Sequence, residues 1–165
     1  AIAITIGPGS YTGLRVGISS AKGLCYDLTI PLITISTLEV MAHAAKNEEV
    51  DLLCPMIDAR RMEVFTAVYT KSLKEIIKPH ARILEKDFLS ELLSSNDILI
   101  FGSGSKKFSL LLNHDNAIFG EVDHNASDMA SMALERFLSQ RFADIAYSEP
   151  AYLKDFFSPA RKASK

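Results

Sequence analysis

Ile2, Ile4 and Ile6 alternate with Ala1, Ala3 and Thr5, and this two-residue period predicts a strand covered on both faces. The run stops at Gly7-Pro8-Gly9-Ser10. From about Thr12 to Asp27 the apolar positions take helical spacing, with Leu14, Ile18, Ala21, Cys25 and Leu28 on one side; Pro31 then ends the helix and opens a short strand from Leu32 to Ile35. Ser36-Thr37-Leu38-Glu39 has the form of a capping box, in which a hydroxyl and a carboxylate satisfy the first amides of a helix carrying Leu38, Met41, Ala42 and Ala45. A buried strand is expected from Val50 to Asp58, a turn at Ala59-Arg60-Arg61, a returning strand from Met62 to Thr70, and a weaker third strand between Glu75 and Leu84. Asp87 is placed to cap a short helix holding Phe88, Leu89, Leu92 and Leu93. Strands follow at Ile98 to Phe101 and Ala117 to Phe119, with a helix carrying Phe108, Leu111 and Leu112 between them. A last helix near Ser127 to Gln140 puts Met129, Met132, Ala133 and Phe137 on its apolar side.

The two ends of this series match. Ile4-Thr5-Ile6-Gly7-Pro8-Gly9-Ser10 aligns with Leu99-Ile100-Phe101-Gly102-Ser103-Gly104-Ser105, in each case an apolar strand, Gly-x-Gly-Ser, then a helix. Two independent strand-to-helix turns also account for so short a match, but the order of elements favours a repeat. On that reading residues 1–48 are the remnant of a first lobe (strand-helix-strand-helix), residues 49–146 a second lobe (three strands, then alternating helices and strands), and residues 147–165 a C-terminal tail. Three antiparallel strands followed by alternating helices and parallel strands, given twice, is the order of the actin-like, ribonuclease-H-like ATPases. The expected fold is therefore α/β and two-lobed, with the first lobe incomplete and on the order of 45 residues missing upstream of Ala1.

Composition narrows the function. The 165 residues are 48% hydrophobic, enough to fill a core. A net charge of -2, with the basic pairs Arg60-Arg61 and Lys106-Lys107 scattered and Arg161, Lys162 and Lys165 in the tail, weighs against a stand-alone nucleic-acid binder. Cys25 and Cys54 sit in apolar runs like small core residues, make no disulfide framework or zinc set, and fit a cytoplasmic setting. No apolar run approaches the ~18 residues of a membrane span. His43, His80, His114 and His124 are far from the spacing a hydrolytic metal needs, and Ser10 lacks the Gly-x-Ser-x-Gly elbow, so neither metal nor catalytic residue is expected.

Gly7-Pro8-Gly9-Ser10-Tyr11-Thr12-Gly13-Leu14-Arg15-Val16-Gly17, with Ile57-Asp58-Ala59-Arg60-Arg61-Met62-Glu63-Val64-Phe65 and Glu149-Pro150-Ala151-Tyr152-Leu153-Lys154-Asp155, resembles the bacterial threonylcarbamoyladenosine biosynthesis family TsaB, also called YeaZ. An opening strand with an Asp-Thr-Ser-like segment, usual in that family, is not in this sequence. The resemblance implies a noncatalytic subunit of tRNA modification without a cofactor of its own. It also implies pairing with a TsaD-type catalytic paralogue through first-lobe helices, together with a TsaE-type ATPase, with tRNA reached only through the complex.

The residues themselves leave alternatives open. Gly13, Gly17 and Ala21, four apart on one helix with Ser20 beside them and Leu24 beyond, make a ridge almost without side chains. Each helical Gly costs about 1 kcal/mol against Ala, so close approach must repay it, either to the protein's own sheet or to a partner. The turn of Gly7, Pro8, Gly9 and Ser10, with Thr12 and Arg15, either cradles an anion at the helix start or only reverses the chain; the P-loop and Rossmann patterns both fail at Thr12. Asp58, Arg60, Arg61 and Glu63, with Gly102 and Gly104 of the second turn, mark a possible interlobe cleft, or else an exposed turn with a weak salt bridge. Besides the interaction subunit, a nucleotide-dependent transferase or hydrolase (glycoprotease-like) using that cleft and a self-associating homodimer remain in play.

Overall fold

A computed structural model describes residues 1–154. Its elements are β1 (Ile2–Thr5), α1 (Tyr11–Leu28), β2 (Leu32–Ile35), α2 (Thr37–Ala44), β3 (Leu52–Asp58), β4 (Glu63–Thr70), β5 (Glu75–Ile83), α3 (Ser90–Leu93), β6 (Ile98–Phe101), α4 (Ser105–Ser109), β7 (Ala117–Gly120) and α5 (Met129–Leu138), the last entered through a 3-10 turn at Ala126–Asp128. They make two sheets: β1 and β2 pair in parallel, and the second sheet has the order β5-β4-β3-β6-β7. In the second sheet β3, β4 and β5 are antiparallel neighbours, whereas β6 pairs parallel to β3 and β7 parallel to β6. Among the described residues β1 has a strand on one edge only.

Both faces of the central strands are covered, which is why β3 and β6 read as nearly continuous apolar runs, whereas the edge strand β5 is polar and partly exposed. On one face of the second sheet Leu52, Cys54, Met56, Val64, Val68, Ile98 and Ile100 pack with Leu93 of α3 and Phe108 of α4. The other face, carrying Leu53, Ala67, Tyr69, Leu99 and Phe101, is closed by Leu38, Met41 and Ala42 of α2, a helix from the first half of the sequence, and by Ala45 at its C-cap. The exchange is mutual. Ile33 and Ile35 of β2 pack with Met132 of α5, which comes from the second half, and with Val40 of α2. Ile2, Ile4 and Leu32 face Ala21 and Cys25 of α1.

Several local expectations yield to tertiary contacts. The Ser36–Glu39 capping box does not form: Ser36 Oγ is 3.5 Å from the Gly7 carbonyl, and Glu39 instead takes both oxygens to Arg136 Nη2 at 2.7 Å. Arg136 also donates through Nη1 to the Thr34 carbonyl, so one side chain joins α5, α2 and β2. Leu28 and Phe137, expected on apolar faces, are exposed, and Asp87 caps no helix, because α3 begins after a left-handed Leu89. The strand expected to be weak, β5, is nine residues long, with its pairing to β4 interrupted by bulges. Because Arg136 and Glu39 are both largely shielded, Arg136→Ala leaves a poorly solvated carboxylate and is expected to cost about 3 kcal/mol in urea denaturation; a loss under about 0.5 kcal/mol contradicts the lock.

Candidate interaction surface

The turn after β1 is built for chain reversal. Gly7 has a φ of +113°, and a Cβ there would lie 3.0 Å from Leu14 Cδ1 and 3.2 Å from the Ala151 carbonyl oxygen. Ser10 is the N-cap of α1, its Oγ accepting from the Gly13 amide at 3.3 Å. The turn after β6 repeats the device: Gly102 has a φ of +92°, and a Cβ there would meet the Met56 carbonyl oxygen at 2.5 Å. Its amides are committed inward, Gly104 N donating to Met56 O and Ser105 N to Gly102 O, both at 3.0 Å. Gly104 is buried against Val64 and Met56, so it lines no cleft.

Arg15 belongs to an aromatic clamp. Its Nε donates to the Tyr152 hydroxyl at 2.8 Å and its guanidinium lies 4.2 Å from the centre of the Tyr11 ring, with Tyr11 and Tyr152 themselves 5.6 Å apart. The Tyr152 hydrogen bond favours the charged form of Arg15 further. On the same flank Lys22 Nζ donates to the carbonyls of Ala146 and Ser148 at 3.1 and 3.0 Å, so residues 146–152 run along α1.

The glycine ridge divides between two faces. Ala21 is 5% exposed inside the protein's own core, and a Cβ on Gly17 would stand 3.1 Å from Ile4 Cδ1, so these two serve close packing of α1 on β1. Gly13, Ser20 and Leu24 point outward. Two residues that the spacing argument passed over join them: Val16, which is 61% exposed, and Gly23, whose missing Cβ has nothing within 4 Å. The signal was available, since 16, 20 and 24 lie four apart, opposite the buried Ile18 and Cys25. The outer face of α1 is thus small and apolar, with Tyr26 and Leu28 exposed at its C-terminal end.

Beside this face lies a cleft of about 610 Å³, lined by Gly9, Ser10, Tyr11 and Thr12 from the first turn and by Ile57, Asp58, Ala59, Arg60 and Phe65 from the β3–β4 hairpin. The structure therefore brings two of the sequence motifs together. Glu63 stands apart, paired with Lys154. Asp58 accepts from Lys107 Nζ at 2.9 Å and from its own turn at Arg60 N at 2.6 Å, while Lys107 also donates to the Arg61 and Glu63 carbonyls. Lys107 first, then the Arg60 amide, holds the Asp58 carboxyl below the usual carboxylate range. A lowered carboxyl pKa stabilises the folded state above the ordinary value, and that contribution disappears as pH falls through the lowered one. Asp58→Asn is accordingly expected to remove a small acid-side component of stability, under about 1 kcal/mol for so exposed a pair, seen as a flatter Tm profile below the ordinary carboxylate range. An unchanged acid profile would speak against the Lys107 clamp.

Reactive groups are few. Both cysteines are buried free thiols, and burial pushes Cys54 up to about 12, far from a thiolate nucleophile. Among the described residues no three His, Cys, Asp or Glu side chains gather as metal ligands, and no helix is long and apolar enough to cross a membrane.

A mixed sheet ordered β5-β4-β3-β6-β7, with the glycine turn after β6 repeated after β1, defines an α/β protein of the actin-like, ribonuclease-H-like class. A crystal structure from Pseudomonas aeruginosa, described as similar to the peptidase YeaZ, shares this fold with a TM-score of 0.78 at 23% identity, over 92% of this chain and 73% of that one. The chain belongs to the family described as TsaD, tRNA N6-adenosine threonylcarbamoyltransferase, whose family model matches residues 1–152. Its relatives include the tRNA threonylcarbamoyladenosine biosynthesis protein TsaB of Escherichia coli K12, 32% identical over an alignment that covers 94% of this chain and 71% of that protein. The TsaB of Bacillus subtilis 168 is 34% identical over 123 residues, 73% of this chain and 49% of that protein. The chain thus spans about half the length of the Bacillus relative it matches.

Proposed function

We propose that the chain acts as a noncatalytic interaction subunit in the threonylcarbamoyladenosine modification of tRNA, in the cytoplasm, using the outer face of α1 to bind a TsaD-type threonylcarbamoyltransferase. The observation that carries this reading is that face: Gly13, Val16, Ser20, Gly23 and Leu24 turn outward on a regular helix whose opposite side holds its own sheet. Apolar surface flanked by small residues lets another backbone come close. A TsaE-type ATPase and tRNA would be reached through the complex, and the same face would serve a homodimer when the catalytic partner is absent. We further read residues 1–48, with the two-stranded sheet, as belonging to a first lobe and residues 49–146 as the second lobe by chain order. Contacts cross both boundaries: α2 and α5 each pack across 48/49, and across 146/147 the Ala151 amide donates to the Ile6 carbonyl and Leu153 packs on the α2 cluster.

The competing reading, a nucleotide-dependent transferase or hydrolase, draws support from the cleft between the first turn and the β3–β4 hairpin. Against it stand the inward commitment of the Gly104 amide and the engagement of Arg15 by tyrosines. The test is association of the chain with a TsaD-type protein by calorimetry, repeated with Leu24→Arg; saturable ATP binding by the chain alone, without association, favours the competing reading.

A further inference from the structure

On the side of the molecule where the end of α2, the β4–β5 turn and the start of α5 converge, a pocket of about 320 Å³ is lined by His43, Lys46, Lys71, Ser72, Ser131 and Glu135 among others. Its charges do not balance. Lys46 Nζ makes its hydrogen bond to His43 Nε2 at 3.0 Å, and among the described residues neither Lys46 nor Lys71 has a carboxylate partner. An ammonium can only donate, so Nε2 accepts, the imidazole proton sits on Nδ1, and the ring is neutral. Burial and the Lys46 charge push His43 the same way, toward deprotonation. Lys46 is therefore oriented by a group that does not neutralise it. The one carboxylate on the wall, Glu135, is taken by Arg141 Nη2 at 2.7 Å.

Two unneutralised ammonium groups and the Ser72 hydroxyl around one concavity suit an oxyanion: the lysines supply charge and the serine a directed hydrogen bond. Ser131 Oγ donates to His43 Nε2 at 3.0 Å, which commits its proton, whereas Ser72 Oγ, 2.9 Å from Thr70 Oγ1, can accept from Thr70 and keep its own proton for a ligand. Ser131 also lies in the first turn of α5, where the helix dipole favours negative charge. A dianion would match the two lysines in charge. An extended polyanion needs a track of cations, which two lysines at one concavity on a chain of net charge -2 do not offer.

We propose that this pocket is a binding site for a small phosphate dianion or phosphate monoester, held by Lys46 and Lys71 with Ser72 as a hydrogen-bond donor. The site lies away from the α1 face and does not depend on the interaction role proposed above. The test is titration of the chain with inorganic phosphate at pH 7.5 and low ionic strength, by calorimetry and phosphorus NMR, with circular dichroism to verify the fold of each variant. Saturable binding is expected, weakened at least tenfold in Lys46→Met and in Lys71→Met and lost in the double variant. Methyl phosphate in a parallel titration is expected to bind through the same lysines. Absence of saturable phosphate binding, or binding unchanged in the folded double variant, overturns the proposal. So does an RNA oligomer that binds through these lysines while phosphate does not.

Discussion

Alanine at Gly102 is expected to destabilise the protein by about 4 kcal/mol, the sum of a strained left-handed residue and an overpacked core. The new Cβ would stand 2.5 Å from the Met56 carbonyl oxygen and 2.6 Å from Met41 Cε. The methionine tip can swing away, but the carbonyl belongs to β3 and cannot. Urea denaturation reads the effect as a lower midpoint at unchanged slope, and heating as a Tm lower by roughly 10 °C for a chain of this size. Gly23→Ala is the control, because nothing lies within 4 Å of the added atom; it is expected to be neutral or stabilising by up to about 1 kcal/mol. Equal losses in the two variants would mean that Gly102 has no special conformational role.

The second large effect is on association. Leu24→Arg and Val16→Asp place charge on side chains that are 53% and 61% exposed, so the isolated fold should be unaffected. At the centre of a helix-to-helix contact, each is expected to weaken binding to a TsaD-type partner at least 100-fold, equivalent to about 2.7 kcal/mol. Calorimetry of each variant against the partner, with matched melting curves, separates loss of contact from loss of fold. Affinity unchanged in both variants would place the interface elsewhere. Ala21→Leu, by contrast, is a poor probe: it overfills the space shared with Ile4 and Cys25 and would weaken binding through unfolding.

The legibility of this fold follows from where the signal is local. Strand β2 begins and ends where Pro31 and Ser36 bracket three apolar residues and Thr34, and the turns after β1 and β6 announce themselves through Gly-x-Gly-Ser. The capping box shows the limit. Ser36 and Glu39 have the right spacing, but Glu39 serves Arg136, 97 residues away, and a working capping box forms at Asn125 and Asp128 instead. Which helix covers which sheet was equally out of reach, since Leu38 and Met132 are apolar at the right spacing whichever sheet they meet. At the surface site, Gly17 and Ala21 were indistinguishable from Gly13 and Ser20 by spacing alone. Only the position of Ile4 decides which small residues face inward.

The exchanged helices also bear on motion. Proteins of two sheets that open about a hinge need each sheet to keep its own cover while the halves part. Here, swinging the sheets apart would pull α2 off Leu53 and Phe101 or α5 off Ile33 and Ile35, and would break the Glu39–Arg136 bond with it. Separation would thus expose buried core residues on both sheets at once. A binding partner would therefore meet halves already tied to each other, and preorganisation of that kind lowers the ordering cost of docking.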